Sequence, residues 1–123
     1  MMLDTHVALA LYEGRSAGLS PHVRHALEAG VASLSPMVLL EVELLNEIGR
    51  IRPRAHEVAA SLSEQLAIRV ATDTFAEVVR EALPLAYMRD PFDRLIVAHA
   101  AVRRVPLVTF DEVLLRHCRF ATH

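Results

Sequence analysis

Glu41 is the acidic residue in this sequence that is hardest to explain by structure alone. The spacing predicts a helix from Pro36 to Gly49, and the residues three, four and seven positions from Glu41 are all apolar: Met37, Val38, Leu44, Leu45 and Ile48. Residues at these spacings share one helix face. Glu43, in contrast, has polar neighbours on one side. Because an unpaired buried carboxylate is very costly, we expect Glu41 to face the core for a chemical reason.

Asp93 has a similar position near the start of a second apolar helix, predicted from Asp90 to Arg104. The body of this helix, LIVAHAAV, is apolar nearly all round, which is typical of a buried helix. Asp90 precedes a proline and is expected to cap the helix. Asp93 is either a functional acid or the third residue of a capping box, favoured there by the helix dipole.

Two further acids, Asp4 and Asp111, each follow a short apolar segment that is predicted to be a strand. In sheets of parallel strands, ligands bind beyond the carboxyl ends of the strands. Each of these acids could instead cap the helix that follows it. Glu41 has no such alternative, because a residue in the middle of a helix caps nothing.

Gathering these four carboxylates in one crevice requires compensation of their charge. At ~4 Å and an effective dielectric constant of ~20, each pair repels by on the order of 4 kcal/mol. The chain contains no lysine, and all thirteen of its cationic residues are arginine. A divalent cation would resolve the repulsion, and oxygen ligands without a His or Cys cluster favour Mg²⁺ or Mn²⁺ over zinc.

The elements that must position these acids alternate along the chain. Strands are predicted at Met2–Asp4, Val31–Leu34, Leu66–Ala71, Pro106–Phe110 and Arg119–Ala121. Helices are predicted at Thr5–Tyr12, from Ser20-Pro21 to Gly30, Pro36–Gly49, Arg54–Glu64, Thr74–Tyr87, Asp90–Arg104 and Asp111–Leu115. Short strands that alternate with helices predict an α/β fold in which a parallel sheet is covered on both faces.

Composition narrows the class of protein. A length of 123 residues fits one domain, and an apolar content of 53%, slightly above average, suggests burial against a partner. A net charge of −2 excludes a global basic field, and the missing lysine excludes phosphate-loop and Schiff-base enzymes. The single Cys118 favours a reducing compartment. Without a recognisable signal peptide or membrane span, the expected location is the cytoplasm.

Four motifs together resemble the PIN-domain nucleases, most closely the toxins of bacterial VapBC-type toxin–antitoxin pairs. They are LDTH at Leu3–His6, SPMVLLEVELL at Ser35–Leu45, DPFDRLIVAHA at Asp90–Ala100 and LVTFDEVLL at Leu107–Leu115. The motifs occur in the family's order and spacing, and together they span nearly the whole chain. The resemblance implies a single PIN domain over residues 1–123, with a PIN-like three-layer sandwich and a short, mostly parallel sheet.

The resemblance also implies a set of site residues. Asp4, Glu41, Asp93 and Asp111 match the four acids of the family, and Asp90, Thr5 and Thr109 match supporting positions beside the metal. The implied activity is hydrolysis of RNA phosphodiester bonds with Mg²⁺, for which Mn²⁺ can substitute. We expect the first three acids to hold the principal metal. Asp111 is expected to hold a second ion or to orient the attacking water.

Substrate contacts and partners are less well specified. Candidate phosphate contacts are Arg94 and the cluster Arg50, Arg52 and Arg54, although each is equally compatible with a solvated surface. His6 and His99 lie close to motif residues and are expected to pack or to contact substrate rather than to bind metal. The resemblance implies a cognate antitoxin, whose C-terminal segment covers the acidic pocket, and a homodimer.

Two competing interpretations come from other classes of protein. One is a PIN-like module that binds RNA or protein without cutting, which the presence of all four acids disfavours. The other is a phosphotransfer domain, which the absence of lysine makes very improbable. In addition, only three residues precede Asp4, which predicts an unusually short first strand and a weakened edge there.

Overall fold

The computed structural model describes all 123 residues, in five strands and seven helices. The strands are β1 (Met2–Leu3), β2 (Ser33–Leu34), β3 (Arg69–Val70), β4 (Leu107–Val108) and β5 (Ala121–Thr122). The helices are α1 (Thr5–Tyr12), α2 (Pro21–Glu28), α3 (Pro36–Glu47), α4 (Ala55–Leu66), α5 (Phe75–Ala82), α6 (Pro91–Arg103) and α7 (Glu112–His117).

All five strands are parallel, in the order β3-β2-β1-β4-β5. The prediction of an α/β fold with a parallel sheet between helices is therefore confirmed. The expected weakness at the first strand was wrong in one respect, because β1 is the central strand and not an edge. Met2 and Leu3 are completely buried, and they pair with β2 on one side and β4 on the other.

Helices flank the sheet on both faces and enclose its side chains. On one side α1 packs against α3 and α4, and α5 forms its most extensive contact with α6. One cluster of 25 buried apolar residues runs from Met2 to Cys118, and Val78 and Ala82 of α5 form a second, smaller cluster with Ala98 of α6. In α6, the stretch from Ile96 to Ala100 is buried, as its apolar sequence predicts.

Several predicted boundaries differ from the structure for identifiable reasons. Helix α5 ends at Ala82 instead of Tyr87, since Pro84 lacks an amide proton and disfavours helix in the residue before it. Strand β3 is shorter than predicted because α4 extends to Leu66 and ends on Ala67 in the left-handed conformation, with φ of 54°. Strand β2 begins at Ser33, and β5 ends one residue later than expected.

None of the seven helices is both long enough and apolar enough to cross a lipid bilayer.

Candidate active site

Three of the predicted acids meet at the carboxyl edge of the sheet. Asp4 directly follows β1, Glu41 lies in the second turn of α3, and Asp93 lies in the first turn of α6. One carboxylate oxygen from each of the three lies within 4.8 Å of the others. We call Asp4, Glu41 and Asp93 the acid trio. Residues 89 positions apart in the chain therefore share one small volume.

Asp4 is the most firmly held member of the trio and is only 5% exposed. Its Oδ1 accepts a hydrogen bond from the backbone N–H of Thr5 at 2.8 Å and so caps α1. Its Oδ2 accepts a hydrogen bond from the Thr109 hydroxyl at 2.7 Å. Because both oxygens have fixed donors, Asp4 can turn little, and the remaining lone pairs have a fixed direction.

Glu41 reaches the trio, but the sequence argument for its position was partly wrong. Leu44 and Ile48, which were expected on the core face, are exposed, and Ile48 retains 65% of its accessible surface. Helix α3 has two apolar sides. Val38 and Val42 form the side that faces the core, whereas Leu44 and Ile48 lie on the side that faces solvent. Periodicity alone does not distinguish these two sides.

Charge repulsion and desolvation dominate the electrostatics of the trio. Burial, followed by the negative charges of Asp4, Asp90, Glu41 and Asp111, raises the pKa of Asp93 to about 6. Burial also raises the pKa of Glu41, with the Thr5 hydroxyl partly opposing the change. Apart from His6 near Glu41, no cationic side chain offsets these shifts. The trio lacks positive charge.

The residues present fit a hard divalent cation. All three side chains offer carboxylate oxygen, which Mg²⁺ and Mn²⁺ prefer. The Thr5 hydroxyl is buried and has no hydrogen-bond partner of good geometry. It nevertheless lies close enough to Glu41 to lower the pKa of that carboxyl and so favour its ionised form. A buried polar atom without a partner is uncommon. The trio and Thr5 are thus the residues that could hold such an ion.

Asp90 and Asp111 lie beside the trio and cap helices. Asp90 Oδ1 accepts hydrogen bonds from the N–H groups of Phe92 and Asp93, and Asp111 Oδ1 accepts them from Val113 and Leu114. Together with Asp93, both line a cavity of about 110 Å³. Asp111 is not among the three acids whose oxygens meet within 4.8 Å. It therefore occupies the rim of the site.

Comparison with known proteins identifies the family. The family model for the PIN domain matches residues 1–119. The chain belongs to the PIN-domain family. A chain in a toxin–antitoxin complex from Klebsiella pneumoniae is similar in fold, with a TM-score of 0.67, 17% identity, and coverage of 99% of this chain and 95% of that one.

A second solved structure, VapBC2 from Rickettsia felis bound to a DNA fragment from its promoter, gives a TM-score of 0.66 at 15% identity. The match covers 99% of this PIN domain and 96% of that chain. At these identities the likeness establishes a shared fold. No curated protein sequence matches the chain.

The predicted arginines of this PIN domain lie away from the acid trio. Arg94 donates hydrogen bonds to the carbonyl groups of Ala82 and Leu83 at 2.9 Å, so it closes the end of α5. Arg50 and Arg52 lie beyond the far end of α3, which continues for roughly 9 Å past Glu41 at ~1.5 Å per residue. Arg54 pairs with Glu43 at 2.8 Å. The Arg94 guanidinium is therefore already engaged by backbone carbonyl groups of this chain.

The two histidines that lie close to motif residues, His6 and His99, have different surroundings. His6 is exposed, and its charge lowers the pKa of Glu41, which places it at the mouth of the PIN-domain site. His99 is buried, with Nδ1 2.9 Å from the Ser35 hydroxyl and Nε2 3.0 Å from a carboxylate oxygen of Asp73. Asp73 also pairs with Arg103 at 3.1 Å. We call Ser35, His99, Asp73 and Arg103 the buried network after its two buried residues, Ser35 and His99; Asp73 is partly buried and Arg103 is exposed.

Among the residues that line the acidic cavity, the polar side chains of Tyr87 and Arg89 were absent from the sequence prediction. They lie in the loop between α5 and α6, immediately before Asp90. Their only sequence signal is adjacency to the DPFDR motif, in the segment YMRD. This signal is weak, because the sequence predicted that α5 would continue through this segment.

Proposed function

We propose that this PIN domain is a metal-dependent endoribonuclease that hydrolyses RNA phosphodiester bonds. The observation that carries the proposal is the acid trio, in which three carboxylates meet within 4.8 Å and the pKa values of Glu41 and Asp93 are raised. Such a cluster is unfavourable in the absence of a cation, and PIN domains form a family of nucleases. We infer that Mg²⁺ is the natural ion and that Mn²⁺ can replace it.

The residues of this chain have distinct tasks in the proposed reaction. Asp4, Glu41 and Asp93 would hold the ion, which when bound supplies Lewis-acid catalysis of phosphodiester hydrolysis. Thr109 fixes the direction of Asp4 through its 2.7 Å hydrogen bond, and the buried Thr5 hydroxyl supports Glu41. Asp111, at the rim, is assigned either a second ion or the orientation of the attacking water.

Asp90 supports the site indirectly. It caps α6 through the backbone N–H groups of Phe92 and Asp93, which fixes the turn that carries the Asp93 carboxylate. Its negative charge also contributes to the raised pKa values of Asp93 and Glu41. We propose that this added charge strengthens the attraction for a divalent cation.

We further propose that the protein is the toxin of a type II pair and that its partners are a cognate antitoxin and a second copy of itself. Both structural neighbours come from toxin–antitoxin assemblies. The solvent-facing side of α3 carries Leu40, Leu44 and Ile48 at intervals of four residues, and all three are exposed. An exposed apolar stripe of this kind supports a protein interface.

The proposed cellular setting follows from the same proposal. An endoribonuclease that acts on cellular RNA would work in the cytoplasm, and Cys118 is buried as a free thiol. We also propose that residues 1–123 form one PIN domain, because the apolar cluster that runs from Met2 to Cys118 is continuous.

The test is cleavage of a mixed single-stranded RNA by the purified protein with Mg²⁺ or Mn²⁺. We expect cleavage by the wild type and its loss in Asp4→Asn and Asp93→Asn, with both variants folded by circular dichroism. Glu43→Gln serves as the matched control, since Glu43 binds Arg54 and the Ala55 N–H away from the trio. A folded wild type that cuts no RNA would instead support the non-catalytic binding module.

A further inference from the structure

We propose that Tyr87 and Arg89 form a nucleotide-binding subsite, in which Tyr87 stacks on an unpaired RNA base and Arg89 pairs with a backbone phosphate. Both residues line the cavity of about 110 Å³ that also contains Asp90, Asp93 and Asp111. A nucleotide held by them would place its backbone beside the acid trio. This inference rests on the proposed ribonuclease function and specifies how the substrate is held.

Tyr87 has the exposure that stacking on a base requires. It retains 54% of its accessible surface although it is large and aromatic. It is also the one residue shared by the acidic cavity and a neighbouring cavity of about 240 Å³, which is lined by Leu85, Cys118 and Phe120 among others. Tyr87 therefore borders both cavities. Aromatic rings with a free face are the usual platform for single-stranded bases.

Arg89 is the one arginine that lines the acidic cavity. It is exposed and has no salt bridge or hydrogen bond to another side chain, whereas Arg54 and Arg103 pair with Glu43 and Asp73. An acidic crevice repels a polyanion. A guanidinium at its rim can form a bidentate hydrogen-bonded pair with a phosphate and so offset that repulsion where the RNA strand enters.

The two residues together specify the class of ligand. A base can lie flat on Tyr87 only when it is unpaired, so the subsite selects single-stranded segments over duplex. Tyr87 lies three positions before Asp90 in the loop, so the base and phosphate contacts adjoin the acids. Stacking on an aromatic ring tolerates any base. We therefore expect the subsite to prefer single-stranded over duplex RNA more strongly than it prefers one base sequence over another.

The absence of tryptophan from the chain allows a direct optical test. Tyr87→Trp introduces the sole tryptophan, and we expect single-stranded oligoribonucleotide to quench its fluorescence. Phe75→Trp is the matched control, because Phe75 is an exposed aromatic residue that lines a different cavity, between α3 and α5. Both variants are made in the Asp93→Asn background with Mg²⁺ present, so the strand is bound without being cut.

Binding of the same oligonucleotide is measured by anisotropy in the same background. We expect Tyr87→Leu to weaken binding roughly 10-fold and Tyr87→Phe to change it less than about 2-fold, since the ring is kept. Arg89→Gln should weaken binding and reduce the salt dependence by about one phosphate contact. Phe75→Leu should bind as the parent does.

The outcomes separate this inference from the proposed function. RNA binding without quenching in Tyr87→Trp, or with unchanged affinity in Tyr87→Leu, overturns the subsite. Loss of antitoxin binding but not of RNA binding in these variants would reassign the surface to a protein partner and also overturn it. Quenching and weakened binding, with no cleavage by the Asp93-containing protein, would support the subsite while the ribonuclease proposal fails.

Discussion

The acid trio and the buried network are two polar clusters on the same framework, with opposite electrostatics. Each includes a residue that directly follows a strand, Asp4 after β1 and Ser35 after β2. In the trio, the pKa values of Asp93 and Glu41 are raised by burial and like charges. In the network, the hydrogen bond from His99 holds the pKa of Asp73 below its ordinary value.

The difference shows which cluster is complete. With a neutral His99, Nε2–H donates to Asp73 and the Ser35 hydroxyl donates to Nδ1, while Ser35 Oγ accepts from the Met37 N–H. Each group has its partner within the chain. The trio has an excess of negative charge and the unpartnered Thr5 hydroxyl. A cluster whose polar groups all have partners stabilises the fold, whereas a cluster with uncompensated charge is suited to bind a ligand of opposite charge.

The two clusters are also mechanically connected. His99 lies on α6 six residues beyond Asp93, and Ser35 caps α3, the helix that carries Glu41. The hydrogen bond between His99 and Ser35 therefore fixes the relative position of the two helices that supply two of the three acids. The network sets the spacing that the trio needs.

The comparison predicts that two glutamates on one helix behave oppositely. Glu41→Gln should lower RNA cleavage by at least ~100-fold, the scale of losing a group that supports developing charge, and should not lower the melting temperature, because it removes like-charge repulsion. Glu43→Gln should keep cleavage and lower the melting temperature, because Glu43 accepts hydrogen bonds from Arg54 and the Ala55 N–H. Cleavage assays and thermal unfolding measure both. Equal behaviour of the two variants would remove the distinction.

The second prediction disrupts the buried network. His99 is 2% exposed, so His99→Leu leaves Ser35 and Asp73 without their partner and should cost on the order of 2–3 kcal/mol of unfolding free energy. His99→Gln retains a hydrogen-bonding group and should cost less. Urea titration of both variants measures the effect. A leucine variant as stable as the wild type would contradict the structural role of this network.

The third prediction concerns pH in the metal-free protein. The pKa of Asp93 rises from 3.8 to about 6 on folding, so its contribution to stability is complete below pH 3.8 and is lost as the pH rises through about 6. Since Asp93 is only half buried, lowering the pH from 7.5 to 5.5 should raise the melting temperature by only roughly 2–4 °C.

Calorimetry at the two pH values checks this effect, with Asp93→Asn as the control. The asparagine variant should show a smaller pH effect between 7.5 and 5.5. Mg²⁺ should raise the melting temperature of the wild type more at pH 7.5 than at pH 5.5, because the ion competes with the proton for Asp93. An asparagine variant with the same pH dependence as the wild type would show that Asp93 is not the titrating group.

The sequence predicted the elements of this fold better than their environments. Alternation of strands and helices indicated the parallel sheet, and apolar periodicity singled out Glu41. That same periodicity assigned Leu44 and Ile48 to the core, since hydrophobicity does not record which of two apolar faces meets the sheet. The end of α5 was misplaced because the prediction continued the helix through Pro84, although a proline disfavours helix in the residue before it.

The sequence named candidate residues for the site but did not give the distances between their side chains. The motifs named all four acids, but they did not indicate that only Asp4, Glu41 and Asp93 would bring their oxygens within 4.8 Å of one another. Arg94 was one candidate phosphate contact because it adjoins Asp93, but its guanidinium donates hydrogen bonds to the carbonyl groups of Ala82 and Leu83. Tyr87 and Arg89 were missed because a loop has no periodicity from which to infer a shared surface.

The hydrogen bond between Thr109 and Asp4 spans 105 positions of the chain. Contacts of such separation form only when distant parts of the chain meet. A growing polypeptide that has not yet emerged past β4 thus has Asp4 without the hydroxyl that holds its Oδ2. If the protein cuts RNA, it acquires that ability only after β4 has been synthesised and has paired with β1.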